Sequence, residues 1–203
     1  MAATGYPWLS FDTVTKIITV STSTPGLSGA YNMRYICTLD DDDSSVEETT
    51  ITYYLIEATA VAQTDITYII SQAELTQAIS AFTYDPLAMP LAGPVTWTYS
   101  VTSSSGNANI CTVDSATGLN ILVGTTVSAA AGATTGVISD LNLAGTHVYV
   151  LSGTVSGTDS LGRVFSAAAV TTTVNIELIS ITIGGSMADM FYRSAEAAEE
   201  QIF

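Results

Sequence analysis

Basic residues are nearly missing from this chain. One Lys, three Arg and one His stand against 19 Asp and Glu, a net charge of −15 with a pI near 4.1. That balance excludes nucleic-acid binding through phosphate neutralisation and disfavours anionic membrane surfaces. Cysteine is scarce too: Cys37 and Cys111 are too few for a disulfide scaffold and stand at no metal-ligand spacing. Asn-x-Ser/Thr does not occur, so any glycan would be O-linked. No run reaches the roughly 20 apolar residues of a membrane span. The opening Met1–Trp8 lacks a basic stretch followed by an apolar one, so a secreted origin requires a leader already removed or a longer chain. What the sequence has is 31 Thr and 22 Ser among 203 residues, with 47% hydrophobic residues and a mean hydropathy of +0.40. Thr, Val, Ile and Tyr suit a pleated, half-buried surface, and the expected fold class is all-β. Lysine poverty with hydroxyl excess suggests an extracellular or cell-surface setting.

The chain resembles itself. Trp8–Val20 matches Ile110–Leu122 at an offset of 102, with Asp12 falling on Asp114. Leu27–Tyr31 matches Leu143–His147 at an offset of 116, and Thr49–Leu55 matches Thr171–Glu177 at 122. Growing offsets mean longer surface loops in the second copy. Each copy reads strand, Asp-led turn, strand, Gly turn, long strand, loop, strand. Asp12 and Asp114 suit turns in which a short side chain bonds its own backbone. Gly29 and Gly145 suit a positive φ or a close backbone approach before the long strands Tyr31–Leu39 and His147–Val155. Alternation along Tyr31, Met33, Tyr35 and Cys37, and again along His147, Tyr149, Leu151 and Gly153, predicts sheets with one buried face.

The second copy also has a front half, Thr67–Ser71, Ala78–Tyr84 and Val95–Val101, punctuated by Asp85-Pro86 and Gly93-Pro94. That brings it to about seven strands, as in an immunoglobulin-like sandwich. The first copy has no front half. The run Pro7-Trp8-Leu9-Ser10-Phe11-Asp12, then Thr15-x-Ile17-x-Thr19-Val20, then Gly29-x-Tyr31, resembles the cadherin-like, dystroglycan-type repeats of extracellular surface proteins. The resemblance covers residues 7–58 well and 64–178 more loosely. It implies tandem immunoglobulin-like β-sandwiches serving as spacers or adhesion units. The calcium motifs of cadherins do not occur here, which sets calcium-rigidified linkers aside.

The resulting organisation is an incomplete module at 1–60, a complete one at 61–178 and a tail at 179–203. The tail reads in two ways. In one, a strand runs through Ile183 and a helix capped by Ser186 follows the Gly184-Gly185 break. In the other, Asp189-x-x-Tyr192 aligns with Asp65-x-x-Tyr68, and the tail is the front of a further module. Half a sandwich exposes apolar face and unpaired backbone groups. The expected function is therefore a non-enzymatic structural subunit of an extracellular filament or surface appendage. Identical subunits would be its partners, joined head to tail by strand complementation, a heterologous contact that propagates. The expected interface comprises the receiving face around Tyr31, Met33 and Tyr35 and the donor residues Ile179, Ile181, Ile183, Met190 and Phe191. The alternative is an adhesion or glycan-binding module, with Trp8, Trp97 and Tyr99 as a sugar-stacking face.

No catalytic residue, metal or cofactor is implied. The run Asp40–Asp43 with Glu47 and Glu48 could gather calcium, yet it lacks the Asp-x-Asp-x-Asp-Gly pattern and reads as a solvated loop. His147 takes the place of Tyr31 in the repeat, which argues for packing over catalysis. Cys37 and Cys111 fall at non-equivalent repeat positions, so they read as free thiols or as a bridge between modules or subunits.

Overall fold

A computed structural model describes residues 6–22, 24–38, 46–104, 110–124, 137–138 and 140–181. The chain is all-β over these residues, and its one helical element is the 3-10 turn Leu141–Leu143. Ile183, Met190, Phe191, the tail helix and the acidic run Asp40–Asp43 lie outside the described residues.

Two antiparallel ribbons make the first unit. β1 (Leu9–Phe11) pairs with β2 (Ile18–Val20), and β3 (Gly29–Thr38) pairs with β4 (Val46–Leu55). The ribbons meet over a small core of four buried residues, Trp8, Leu9, Met33 and Leu55. Tyr6, Ile18, Leu27, Tyr31, Tyr35 and Tyr53 pack against it partly buried.

Ten further strands follow: β5 (Glu57–Thr59), β6 (Ile66–Ile69), β7 (Leu75–Ala78), β8 (Thr83–Asp85), β9 (Thr96–Ser103), β10 (Cys111–Val113), β11 (Asn120–Val123), β12 (Gly145–Thr158), β13 (Val164–Ser166) and β14 (Val170–Ile179). β12 is the spine of one sheet. One of its edges pairs with β9, and the other pairs with β14 and then β13. The far edge of β14 takes β6 in parallel. A second sheet runs β10-β11-β7, and β5 and β8 form a short ribbon. A core of fifteen buried residues lies between these strands, with Leu151 and Ile176 fully buried. β5 pairs with β8 across the boundary at 60 expected from sequence.

The repeat is physical. Asp12 Oδ1 accepts from Val14 N–H at 2.8 Å and Asp114 Oδ1 from Ala116 N–H at 2.9 Å. Lys16 N–H bonds Asp12 O and Gly118 N–H bonds Asp114 O, at 2.8 and 2.7 Å. Lys16 and Gly118 share the left-handed conformation, φ 61° and 65°, 102 residues apart. The last match needs correcting. β3 pairs Gly29 with Leu55 and β12 pairs Gly145 with Leu178, so Leu55 corresponds to Leu178 at an offset of 123, not 122. An offset of 122 sets buried Leu55 on exposed Glu177, the face reversal that a one-residue slip always produces.

These turns carry a pH dependence. The Thr15 hydroxyl and the Val14 and Thr15 N–H groups hold Asp12 below the ordinary carboxylate range, and Thr117 and Ala116 do the same for Asp114. A carboxyl depressed by folding stabilises above its unfolded pKa of about 4 and loses that contribution as pH falls through its folded value. The double variant Asp12→Asn/Asp114→Asn should therefore show a shallower loss of stability between about pH 5 and pH 2 than the parent. Denaturant midpoints across that range check it; identical slopes would show that the turns contribute nothing.

Candidate functional site

The interface expected from sequence is best judged by comparing equivalent positions in the two repeats. At the start of the long strand, the Tyr31 hydroxyl donates to Leu27 O at 2.9 Å, and His147 Nε2–H donates to Leu143 O at 2.8 Å. Both side chains reach back four residues, so His147 does the structural task of Tyr31. Met33 corresponds to Tyr149, and both are buried. Two residues on, the copies diverge. Leu151 is fully buried, whereas its counterpart Tyr35 is only half-buried.

The cause is visible at the strand edges. β12 pairs with β9 through Tyr149–Ser156, β14 with β6 through Ile176–Ile179, and β11 with β7 through Asn120–Val123. The counterparts β3, β4 and β2 have none of these three neighbours among the described residues: β3 and β4 pair only with each other, and β2 only with β1. Among the described residues, then, one edge each of β2, β3 and β4 has no ladder partner, and Tyr31, Tyr35 and Tyr53 on the face between them are only partly buried. A cleft of about 410 Å³ is lined by Val20, Tyr53 and Tyr54 together with Met89, Arg163 and Phe165 from later in the chain.

Aromatic rings populate the open unit. Trp8 lies edge-on to Tyr6 and Tyr31, with ring centroids at 5.4 and 4.9 Å. Tyr35 and Tyr53 meet edge-on at 6.5 Å and share a 2.6 Å hydroxyl–hydroxyl hydrogen bond. Desolvation, followed by the bond to Tyr53, raises the Tyr35 phenol well above its usual range. The inward face is therefore aromatic, with its two hydroxyls already bonded to each other.

Of the donor residues, Ile179 closes β14 on its outward side, 38% exposed, and its carbonyl accepts from Ile70 N–H at 2.9 Å. Its backbone is thus already engaged. Ile181 follows, 68% exposed. The sugar-stacking face is not formed by these rings: Trp8 and Tyr99 are buried, and Trp97 stacks on Tyr99 at 5.9 Å inside the second unit. Cys111 is a buried free thiol, its pKa pushed up to about 12 by desolvation. Among the described residues no three His, Cys, Asp or Glu side chains gather to hold a metal ion, and no helix is long and apolar enough to cross a membrane.

Sequence reasoning missed the significance of Leu27 and Leu143, which fix where Tyr31 and His147 point. The signal was their common four-residue spacing. It also missed Gly153, whose role depends on rings far away in sequence. No family model and no curated protein matches the chain.

Proposed function

We propose that the chain is a structural subunit of an extracellular filament or surface appendage, completing its first unit with strands from another copy. The observation that carries this is that three edges have no strand partner among the described residues, each of them occupied at the equivalent strand of the second unit. Within the second unit, the order β9-β12-β14-β6 with β6 parallel to β14, faced by β10-β11-β7, supports an immunoglobulin-like sandwich. A side chain at the head of β12 bonding back to the preceding corner supports it further, as tyrosine corners do in that fold. In those terms β1–β4 correspond to β10, β11, β12 and β14, with no counterpart to β13, and this correspondence favours the tandem reading.

Exposed ladder edges over an apolar face are a template for strand addition, and each unsatisfied backbone group buried without a partner costs about 1–3 kcal/mol. A head-to-tail donation satisfies them in every copy but the last, which is why it yields a polymer. The acidic surface, with only four basic residues in the chain, leaves hydrogen bonding and apolar burial to hold subunits together. Deleting residues 182–203 should abolish assembly while leaving the second unit folded. Electron microscopy and sedimentation read the first outcome and near-UV dichroism the second. Undiminished filaments would rule out the tail as donor.

A further inference from the structure

We infer that the two units are held at a fixed angle by a clamp built on Glu57. Its backbone pairs into the second unit while its carboxylate holds a turn of the first, and Ile56 alone separates the two ladders. Every residue involved lies within one chain, so the inference stands independently of strand exchange between copies.

The link is short. Leu55, the last residue of β4, pairs with Gly29 and belongs to the core of the first unit. Glu57, the first residue of β5, pairs with Asp85 of β8, three positions after Phe82 in the core of the second unit. Just downstream, Ala60 and Val61 pack on that same core. Two units joined by a flexible linker over a small interface ordinarily move against each other. Here only Ile56 stands outside both ladders, which leaves the connection a single residue's pair of soft dihedrals to bend with.

Glu57 restricts even that freedom. Its Oε2 accepts from Gly26 N–H at 2.8 Å, a bond between residues 31 apart in sequence. Gly26 follows Pro25 in the loop between β2 and β3 with φ 77°, a pairing that suits a type II turn. The hydrogen bond within such a turn uses the N–H of its fourth residue, leaving that of Gly26 for another acceptor. Asp85 lies directly opposite Glu57 in the ladder, and like charges so placed are destabilising. The Gly26 amide gives the Glu57 carboxylate a donor, in a charge-assisted bond that directs it to the first unit. Beside this bond Pro25 and Leu27 of the first unit face Ala167, Ala168 and Val170 of the second across a cavity of about 200 Å³, with buried Ala58 on its wall. The gap is small enough for one side chain to span.

Paired spin labels report the angle. Carried on ketone-bearing amino acids at positions 14 and 119, and in a second sample at 14 and 141, they occupy exposed sites, one in each unit, and leave Cys37 and Cys111 untouched. Labelled chain diluted into excess unlabelled parent gives distances within one chain whether or not copies assemble. The parent distribution should be narrow, and the same with calcium or a chelator added. Glu57→Gln, which keeps an acceptor oxygen, should leave it narrow. Glu57→Ala should widen it about twofold and speed hydrogen exchange at the Gly26 amide about tenfold. Unchanged exchange across β3 and β12 shows that both units stay folded. Two glycines inserted after Ile56 should widen the distribution as well. An unwidened Glu57→Ala overturns the clamp, and an unwidened insertion overturns the short link as its basis. A parent distribution that is broad, or narrow only with calcium, overturns both.

Discussion

Leu151→Ala should lower the stability of the chain by about 3 kcal/mol, within the range for large-to-small changes in a closed core. Tyr35→Ala, at the equivalent place in the first unit, should cost the unassembled chain only about 1 kcal/mol, mainly its hydrogen bond to Tyr53. The difference is one of surroundings. Leu151 is fully buried, in the core that Phe82 and Tyr99 of the front half help to close. Tyr35 has Tyr53 beside it, and β3 has no second strand neighbour among the described residues. In the proposed assembly the inequality should narrow, because a strand added along β3 would bury the Tyr35 ring. Tyr35→Ala should then raise the protein concentration needed for filaments about tenfold, equivalent to about 1.4 kcal/mol of lost burial. Chemical denaturation of dilute chain gives the first comparison, and sedimentation across a concentration series gives the second. Equal costs in dilute chain would mean that Tyr35 is already enclosed, and that the first unit needs no partner strand.

What could be read from sequence divides by the range of the interaction responsible. The Asp-led turns at Asp12 and Asp114, the glycines at 29 and 145 and the period-two alternation of β3 and β12 are set by neighbours a few residues apart, and these were legible. Gly29 and Gly145 do take positive φ, 148° and 129°. Strand register was less legible, because Thr recurs so densely at 49–52 and 171–173 that two adjacent offsets both match. Only the ladder, pairing Tyr31 with Tyr53 and His147 with Ile176, selects 123. The three-residue strands β5 and β8 are too short for any period to show, and their pairing spans Glu57 to Asp85. The open edges of the candidate interface were legible only as a missing front half. Which edges lack a partner among the described residues follows from a topology that no local pattern encodes.

Gly153 shows the same limit and predicts the other large effect. It sits on β12 within the sheet, without positive φ, so its backbone conformation does not call for glycine. Its neighbours do. A Cβ there would lie 2.7 Å from Phe82 Cδ2 and 2.9 Å from Tyr99 Cε1, well inside contact distance. Neither ring can yield freely. Phe82 and Tyr99 meet edge-on at 5.2 Å, Phe82 N–H donates to the Tyr99 hydroxyl at 3.0 Å, and Trp97 stacks behind Tyr99. Gly153→Val should therefore destabilise by about 3 kcal/mol, the upper part of the range for overpacking. For a chain of this length that lowers the melting temperature by roughly 6–12 °C. The Trp97 emission should shift as the stack is displaced. If the cause is the ring contact, pairing Gly153→Ala with Phe82→Leu should cost less than the sum of the two single changes, since the smaller side chain vacates the space the methyl needs. Simple additivity would instead place the cost in the backbone of β12. Retained stability in Gly153→Val would show that the rings do not close over this position, and with it would go the contrast between a sealed second unit and an open first one.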